Sequence, residues 1–230
     1  MATPGTATRV ALLAGATGLI GHSLLPLLLA DARYRAVHVL LRRAVPGIGP
    51  HPKLTLHTVD FARLQLSAAF FPAVDDVFIA LGTTIKVAGS EAAFRQVDFD
   101  FVVNTARATR AAGATRLAVV SALGADAHSR GFYNRGKGDR QAAVGAMGYG
   151  SVVLAQPSLL VGDRAALGQP VRAGEVWATR LLGPFMGLVP KGVRPIQASA
   201  VAKAMLAASF EAVPGVRILG SARMQGSGQP

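Results

Sequence analysis

The chain has 230 residues, 51% of them hydrophobic and 16% charged, with a formal charge of +12 and no cysteine. That length and apolar content suit one folded domain with a full core and exclude a disordered chain. Disulfides, thiolate catalysis and cysteine-ligated zinc are excluded too, and a cysteine-free chain fits a reducing compartment, here expected to be the cytoplasm.

No stretch reaches the roughly 18 uninterrupted apolar residues of a membrane helix, so no membrane span is expected. The basic residues are scattered arginines, without a block of five or six and without interleaved aromatics. Nucleic acid is therefore not the expected partner, despite the charge.

In chain order, "RVALLAG" (9–15) reads as a strand running into glycine, and residues 18–31 as a helix. "AVHVLLRR" and "KLTLHTVD" are a second and third strand, and "DDVFIALGTT" a fourth that ends in small residues. "EAAFRQVDFDFVVNTARATRAAG" has helical spacing and stops at Gly113, a C-terminal cap. "TRLAVVSALGA" is a fifth strand, "FYNRGKGDRQAAVGAM" a helix containing Gly136 and Gly138, and "GSVVLAQPSLLVG" a sixth strand. Each of those glycines weakens the helix by about 1 kcal/mol relative to alanine. Short apolar strands alternating with helices predict an α/β fold with a doubly wound parallel sheet.

After Gly162 the rhythm breaks into an irregular substrate-side segment, 163–197, with four prolines and a short helix around 175–182. "ASAVAKAMLAASFEA" is a last helix, "VRILGS" a last strand, and "RMQGSGQP" a frayed tail. One domain covers 1–230, its nucleotide-binding core at about 9–162 and its last helix and strand at 198–220.

In "LLAGATGLIG" the glycines at 15, 18 and 21 follow a strand and open a helix. Gly15 permits the turn, Gly18 lets backbone approach a diphosphate, and Gly21 lets helix and sheet pack closely. The amides from Gly15 through Thr17, Leu19 and Ile20 to Gly21, with the helix dipole, then face the negative charge. No small-residue cleavage site follows this run, which argues against a secretory signal. At the end of the second strand stand Arg42 and Arg43 with no carboxylate nearby. Guanidinium grips a 2′-phosphate in a bidentate way, so NADP(H) is expected over NAD(H), the alternative being a solvated basic loop.

Ser121 falls where the fifth strand ends, and Tyr133 and Lys137 are four apart, stacked on one helical face. A phenol titrates near 10 and is a poor acid or base at neutral pH; an adjacent ammonium brings it within reach. Ser121 would hydrogen-bond a substrate carbonyl, Tyr133 exchange the proton, and Lys137 hold the nicotinamide ribose.

With "GATGLIG", Ser121 and "YNRGK", the chain resembles the short-chain dehydrogenase/reductase superfamily. Through "LLRR", "VDF", "LGTTIKVAG", "VDFDFV", "SALGAD", "QPSLLVGDR" and "VRAGEVW" it is similar to the atypical branch of Tat-interacting-protein-like oxidoreductases and their bacterial relatives. The resemblance spans about residues 9–210. It implies a Rossmann fold binding NADP(H), with Asp60 and Phe61 near the adenine. It also implies that Leu81, Gly82, Thr83 and Thr84 run along the ribose and diphosphate, and that Pro157, Leu159 and Leu160 border the nicotinamide. Gln156 departs from the pattern, standing where relatives carry arginine.

The expected activity is hydride transfer between nicotinamide and a carbonyl or alcohol, on an unidentified small molecule, by a monomer or homodimer. Two alternatives stay open: an NADP(H)-binding redox sensor with little catalysis, and an epimerase or isomerase that keeps its cofactor. No metal is expected, since His22, His38, His51, His57 and His128 are dispersed. Asp75 and Asp76 read as a solvated turn. Trp177, Phe185 and Met186 suit either a substrate pocket or packing, and Arg164, Arg172 and Glu175 either substrate contact or structural ion pairs.

Overall fold

The computed structural model describes residues 8–45, 47–64, 73–164 and 189–226. Its strands are β1 (Arg9–Ala14), β2 (Tyr34–Leu41), β3 (Leu54–Thr58), β4 (Asp76–Ile79), β5 (Arg116–Val120), β6 (Ser151–Gln156), β7 (Leu160–Val161), β8 (Ile196–Gln197) and β9 (Gly215–Gly220). Its helices are α1 (Leu19–Ala30), α2 (Ile85–Ala88), α3 (Glu91–Arg95), α4 (Phe101–Ala111), α5 (Phe132–Gly145), α6 (Ala198–Glu211) and α7 (Ser221–Gly226).

Seven strands form one sheet in the order β3-β2-β1-β4-β5-β6-β9, and every adjacent pair is parallel. Parallel strands need covering on both faces, which is why they read as continuous apolar runs. In β1, Ala11 and Leu13 pack among residues of α1 and α6, whereas Val10, Leu12 and Ala14 pack among residues of α4 and α5. This is the expected doubly wound fold. β7 and β8 pair separately, in parallel, beyond the end of β6.

The long helix expected over 91–113 is interrupted. Between α3 and α4 the chain makes a π turn, Gln96–Asp100, whose wider ladder marks a local departure from α geometry. Gly113 follows α4 with φ +98°, a left-handed residue just past the helix end, as its position in the sequence predicts.

At the amino ends of the strands, Asp76 is 1% exposed and accepts from Arg9 Nε at 2.6 Å and Arg9 Nη2 at 2.7 Å. Arg116 Nη1 stands 3.7 Å from the same carboxylate. Asp75 accepts from the Val10 amide at 2.7 Å. The pair expected to be a solvated turn is thus a structural tie among β1, β4 and β5, since a buried carboxylate requires compensating cations.

The expected frayed tail is also corrected at its start. Residues 221–226 form α7, anchored by the buried Met224. The expected helix at 175–182 and Arg172, Glu175, Trp177, Phe185 and Met186 lie outside the described residues. No helix among the described residues is long and apolar enough to cross a membrane.

Candidate functional site

Because all seven strands run the same way, their carboxyl ends share one edge. There the chain direction splits between β1 and β4, the position where open α/β sheets form a ligand crevice. The turn from β1 into α1 lies at that split. Gly15 has φ +94°, and a Cβ on it would stand 2.6 Å from the Ala80 carbonyl carbon. A Cβ on Gly21 would stand 2.0 Å from Gly15 O. Both glycines are therefore required by the protein's own backbone.

Gly18 differs. A Cβ there meets only Gly15 O at 3.5 Å and Ala80 O at 3.8 Å, ordinary contacts, so the lack of a side chain leaves room for something outside the chain. The first helical bond of α1 is His22 N–H to Gly18 O at 2.7 Å, which places the amides of Leu19, Ile20 and Gly21 ahead of it as end donors. No acidic residue lies in that first turn. The side chains of Leu19 and Ile20 are buried in the core, so only their backbone is offered to a ligand, whereas Thr17 is exposed beside them.

Beyond β2 and β3, a hollow of about 380 Å³ is lined by Arg42, Thr58, Val59, Asp60, Phe61 and Phe101. The Asp60 carboxylate accepts from the Ala62 amide at 2.9 Å and caps the single 3-10 turn that follows. Phe61 is buried and stacks on Phe101 with ring centres 5.6 Å apart, forming the floor. Arg42 therefore reaches the hollow, and Arg43 is exposed and stands outside its lining.

Along the loop after β4, the Thr83 amide donates to Asp98 Oδ2 at 2.8 Å, and Thr84 Oγ1 caps α2 by accepting from the Val87 amide at 3.2 Å. Leu81 is half-buried and Gly82 exposed. Asp98, on the π turn, is buried and also accepts from Lys137 Nζ and from Arg140 Nη1, the latter at 3.2 Å. Arg140 is fully buried and donates through Nη2 to Val120 O at 2.7 Å, at the end of β5. Burial pushes its guanidinium down from the ordinary range, and Asp98 opposes that shift.

Tyr133 and Lys137 come together as their spacing predicts, with Lys137 Nζ 5.3 Å from the Tyr133 ring centre and 6.0 Å from that of Phe94. Tyr133 is 38% exposed whereas Lys137 is 5% exposed, so the phenol stands at the mouth and the ammonium beneath it. Asp98 is thus a carboxylate shared by two cations of α5.

Ser121 is buried at the end of β5, and its Oγ accepts from Gln141 Nε2 at 2.5 Å. Gln141 accepts in turn from Gln156 Nε2 at 3.2 Å. Gln141 lies eight residues past Tyr133 on α5, about 12 Å along the axis at 1.5 Å per residue. The serine is thus engaged by a residue about two helical turns from the one that carries the phenol. Pro157 is buried, Leu159 exposed and Leu160 half-buried on the segment leaving β6. That segment returns to the glycine turn, because a Cβ on Gly162 would stand 2.9 Å from Leu19 Cδ2.

Three features escaped the sequence reading. Asp98 was visible only as one of two aspartates in "VDFDFV", with partners 39 and 42 residues away. Gly138, read as a weak point of α5, is a contact: a Cβ there would stand 2.0 Å from the Ala127 amide nitrogen. His38 and His57, read as dispersed, meet on neighbouring strands with Nδ1 and Nε2 2.9 Å apart. Burial, then His57 and Arg35, push His38 down to about 4.

The model of a family described as NAD(P)H-binding matches residues 15–147. The protein fmp52, mitochondrial, of Aspergillus niger is 31% identical over 226 residues, spanning 94% of this chain and 93% of that protein. Its counterpart from Chaetomium globosum is 31% identical over 185 residues, 77% of this chain and 76% of that protein. Among solved structures, MoeE5 in complex with UDP-glucose and NAD superposes with a TM-score of 0.67 at 17% identity, covering 94% of this chain and 79% of that one. The Bordetella bronchiseptica enzyme WbmH in complex with NAD+ gives 0.66 at 14% identity, covering 93% and 76%. Identities this low speak to the fold alone. The relatives correct one expectation: they are named mitochondrial proteins, which overturns the cytoplasmic location. A chain without cysteine suits either compartment, so composition had no power to separate them.

Proposed function

The chain belongs to the NAD(P)H-binding family and is a relative of the fungal FMP52 proteins, and from that premise we propose an NADP(H)-dependent oxidoreductase of the short-chain dehydrogenase type. One observation carries the reading. A phenol and a buried ammonium, Tyr133 and Lys137, share one face of α5 at the sheet edge where the glycine turn opens.

The residues fit the cofactor. The open space at Gly18 and the end donors of α1 suit a diphosphate. The hollow behind Arg42 suits an adenosine whose 2′-phosphate meets a guanidinium, which supports NADP(H) over NAD(H). Lys137 suits the hydroxyls of the nicotinamide ribose, and Pro157, Leu159 and Leu160 the ring beyond. When bound, the cofactor supplies or accepts the hydride. Tyr133 Oη gives a proton to the substrate oxygen on reduction and takes it back on oxidation, and the Lys137 ammonium stabilises the phenolate between those events. The substrate is a small carbonyl or alcohol, and the "LGTT" and "GDR" stretches support a place beside the Tat-interacting-protein-like branch.

A second reading is favoured by Ser121, whose hydroxyl is already engaged by Gln141. It is an NADP(H)-binding regulatory protein with little turnover. NADPH consumption with a panel of carbonyls separates the two, followed as loss of nicotinamide absorbance. Turnover abolished by Tyr133→Phe, with NADPH affinity kept, supports the enzyme; undiminished turnover in that variant sinks the mechanism. No turnover with any carbonyl, together with intact NADPH binding, favours the regulator.

A further inference from the structure

We propose that the carboxyl-terminal helix α7 braces the substrate-side wall of the crevice, with Gln225 and Ser221 as positioning residues acting through the backbone they hold. This rests on the NADP(H) reading above, because it takes Pro157, Leu159 and Leu160 as neighbours of the nicotinamide.

Sheet register brings α7 to this wall. Gly220, the last residue of β9, pairs with Gln156, the last residue of β6, so the two strands leave the sheet side by side at the crevice edge. Just beyond that pair, Ser221 Oγ donates to Ser158 Oγ at 2.9 Å, and Ser158 Oγ donates in turn to Arg194 O. One turn further along α7, Gln225 Nε2 donates to Lys191 O at 2.8 Å and to Arg194 O at 2.9 Å. Ser221 is buried, and so is Met224, which packs among core residues of α6. The helix that carries the Gln225 amide is therefore rooted in the core.

Local structure alone does not fasten the wall. Its strands β7 and β8 pair over two residues each, apart from the main sheet, and a ladder so short is marginal by itself. The turn at 190–194 is shaped from within: the amides of Val193 and Arg194 donate to Pro190 O at 3.1 and 3.0 Å, and Arg194 Nη2 to Val189 O at 2.9 Å. Those bonds give the turn its form without tying it to the sheet. Buried Ile196 roots one end, its amide donating to Leu159 O at 2.9 Å. Gln225, and Ser221 through Ser158, hold the other. A wall ordered in advance spares the ligand that ordering on arrival, which otherwise opposes binding. The adenosine hollow lies beyond β2, on the opposite half of the sheet, and gains nothing from the brace.

The test titrates wild type, Gln225→Met, Gln225→Lys and Ser221→Ala with two probes. One is NADPH; the other is 2′,5′-ADP, which carries the phosphorylated adenosine end and no nicotinamide riboside. Amide hydrogen exchange over residues 190–197 is read on each protein by mass spectrometry. The wild type binds both probes. Gln225→Met, similar in shape but without donors, exchanges faster over that stretch. It binds NADPH about three- to tenfold more weakly, the equivalent of one net hydrogen bond, and 2′,5′-ADP within about twofold of wild type. Gln225→Lys, whose ammonium offers donors to both carbonyls, recovers slow exchange and most of the NADPH affinity. Ser221→Ala moves exchange and NADPH affinity in the same direction as Gln225→Met. Unchanged exchange in Gln225→Met or Ser221→Ala overturns the brace. Faster exchange with unchanged NADPH affinity, equal weakening of both probes, or no recovery in Gln225→Lys overturns the positioning role. Should Gln225→Met not fold, Ser221→Ala is judged by the same criteria. A wild type that binds neither probe refutes the NADP(H) reading itself, whereas the exchange comparison still decides whether α7 holds the wall.

Discussion

Alanine at each of the three turn glycines separates folding from ligand binding, because the structure assigns them different constraints. At Gly21 the new methyl would stand 2.0 Å from Gly15 O, against the 3.4 Å at which ordinary contact begins, and neither partner is a flexible side-chain end. Overpacking of this kind costs about 3 kcal/mol or more. In a domain of this length each kcal/mol lowers the melting temperature by about 2–4 °C, so Gly21→Ala melts about 6–12 °C lower. Gly15→Ala suffers similarly, from a contact of 2.6 Å with Ala80 and a φ of +94°. Gly18→Ala meets nothing closer than 3.5 Å and keeps an ordinary φ of −85°, so its cost is at most that of a poorer N-cap, about 1 kcal/mol. Yet its methyl enters the space proposed above for a diphosphate. Loss of one or two charge-assisted hydrogen bonds at about 1.5–3 kcal/mol each weakens NADPH at least tenfold. Thermal melts and a fluorescence titration on the three variants read both quantities. A Gly18→Ala protein that binds NADPH like wild type refutes the diphosphate turn, and a Gly21→Ala protein that melts like wild type refutes the packing behind it.

Removing the guanidinium with Arg42→Ala lowers NADPH affinity about 10–100-fold and leaves NADH affinity within about twofold, since only the former carries the 2′-phosphate. Equal losses for both cofactors in parallel titrations contradict the assignment. His38 gives a pH dependence of definite sign. Folded His38 is held down at about 4 and is buried, whereas in the unfolded chain it titrates near 6.5, so the unfolded state binds more protons in between. Its contribution to stability is complete above about pH 6.5 and is lost as pH falls toward 4, about 3 kcal/mol in all. Urea melts from pH 7 down to 4 follow this; His38→Leu flattens the slope, and an unchanged slope in that variant refutes it.

Much of the fold was legible because burial on both faces leaves parallel strands as unbroken apolar runs, and glycines mark where those runs turn. The Tyr133–Lys137 pair was legible for a related reason: four residues apart on a helix is contact by geometry alone. Contacts set by topology were not. Asp98 and Asp100 look alike in "VDFDFV", and only the phase of the π turn decides which one meets α5. Asp75 and Asp76 are equally alike, yet one faces Arg9 beneath the sheet. Gly138 read as a flaw because helix propensity is a local quantity, whereas its use lies against residues 126 and 127 of a loop. His38 and His57 meet because β2 and β3 are neighbours in parallel, which no spacing within either strand reveals.

The tie of Arg9 and Arg116 to Asp76 belongs to the rim of the sheet opposite the crevice. Three central strands are therefore laced together at the end remote from any chemistry, in the manner of a brush whose bristles are bound at the base. Segments at the free tips can be exchanged or lengthened without loosening that binding. Within those tips the residues that line the crevice or brace α5 stay fixed, and the room to vary lies at exposed side chains between them, such as Leu123 and His128.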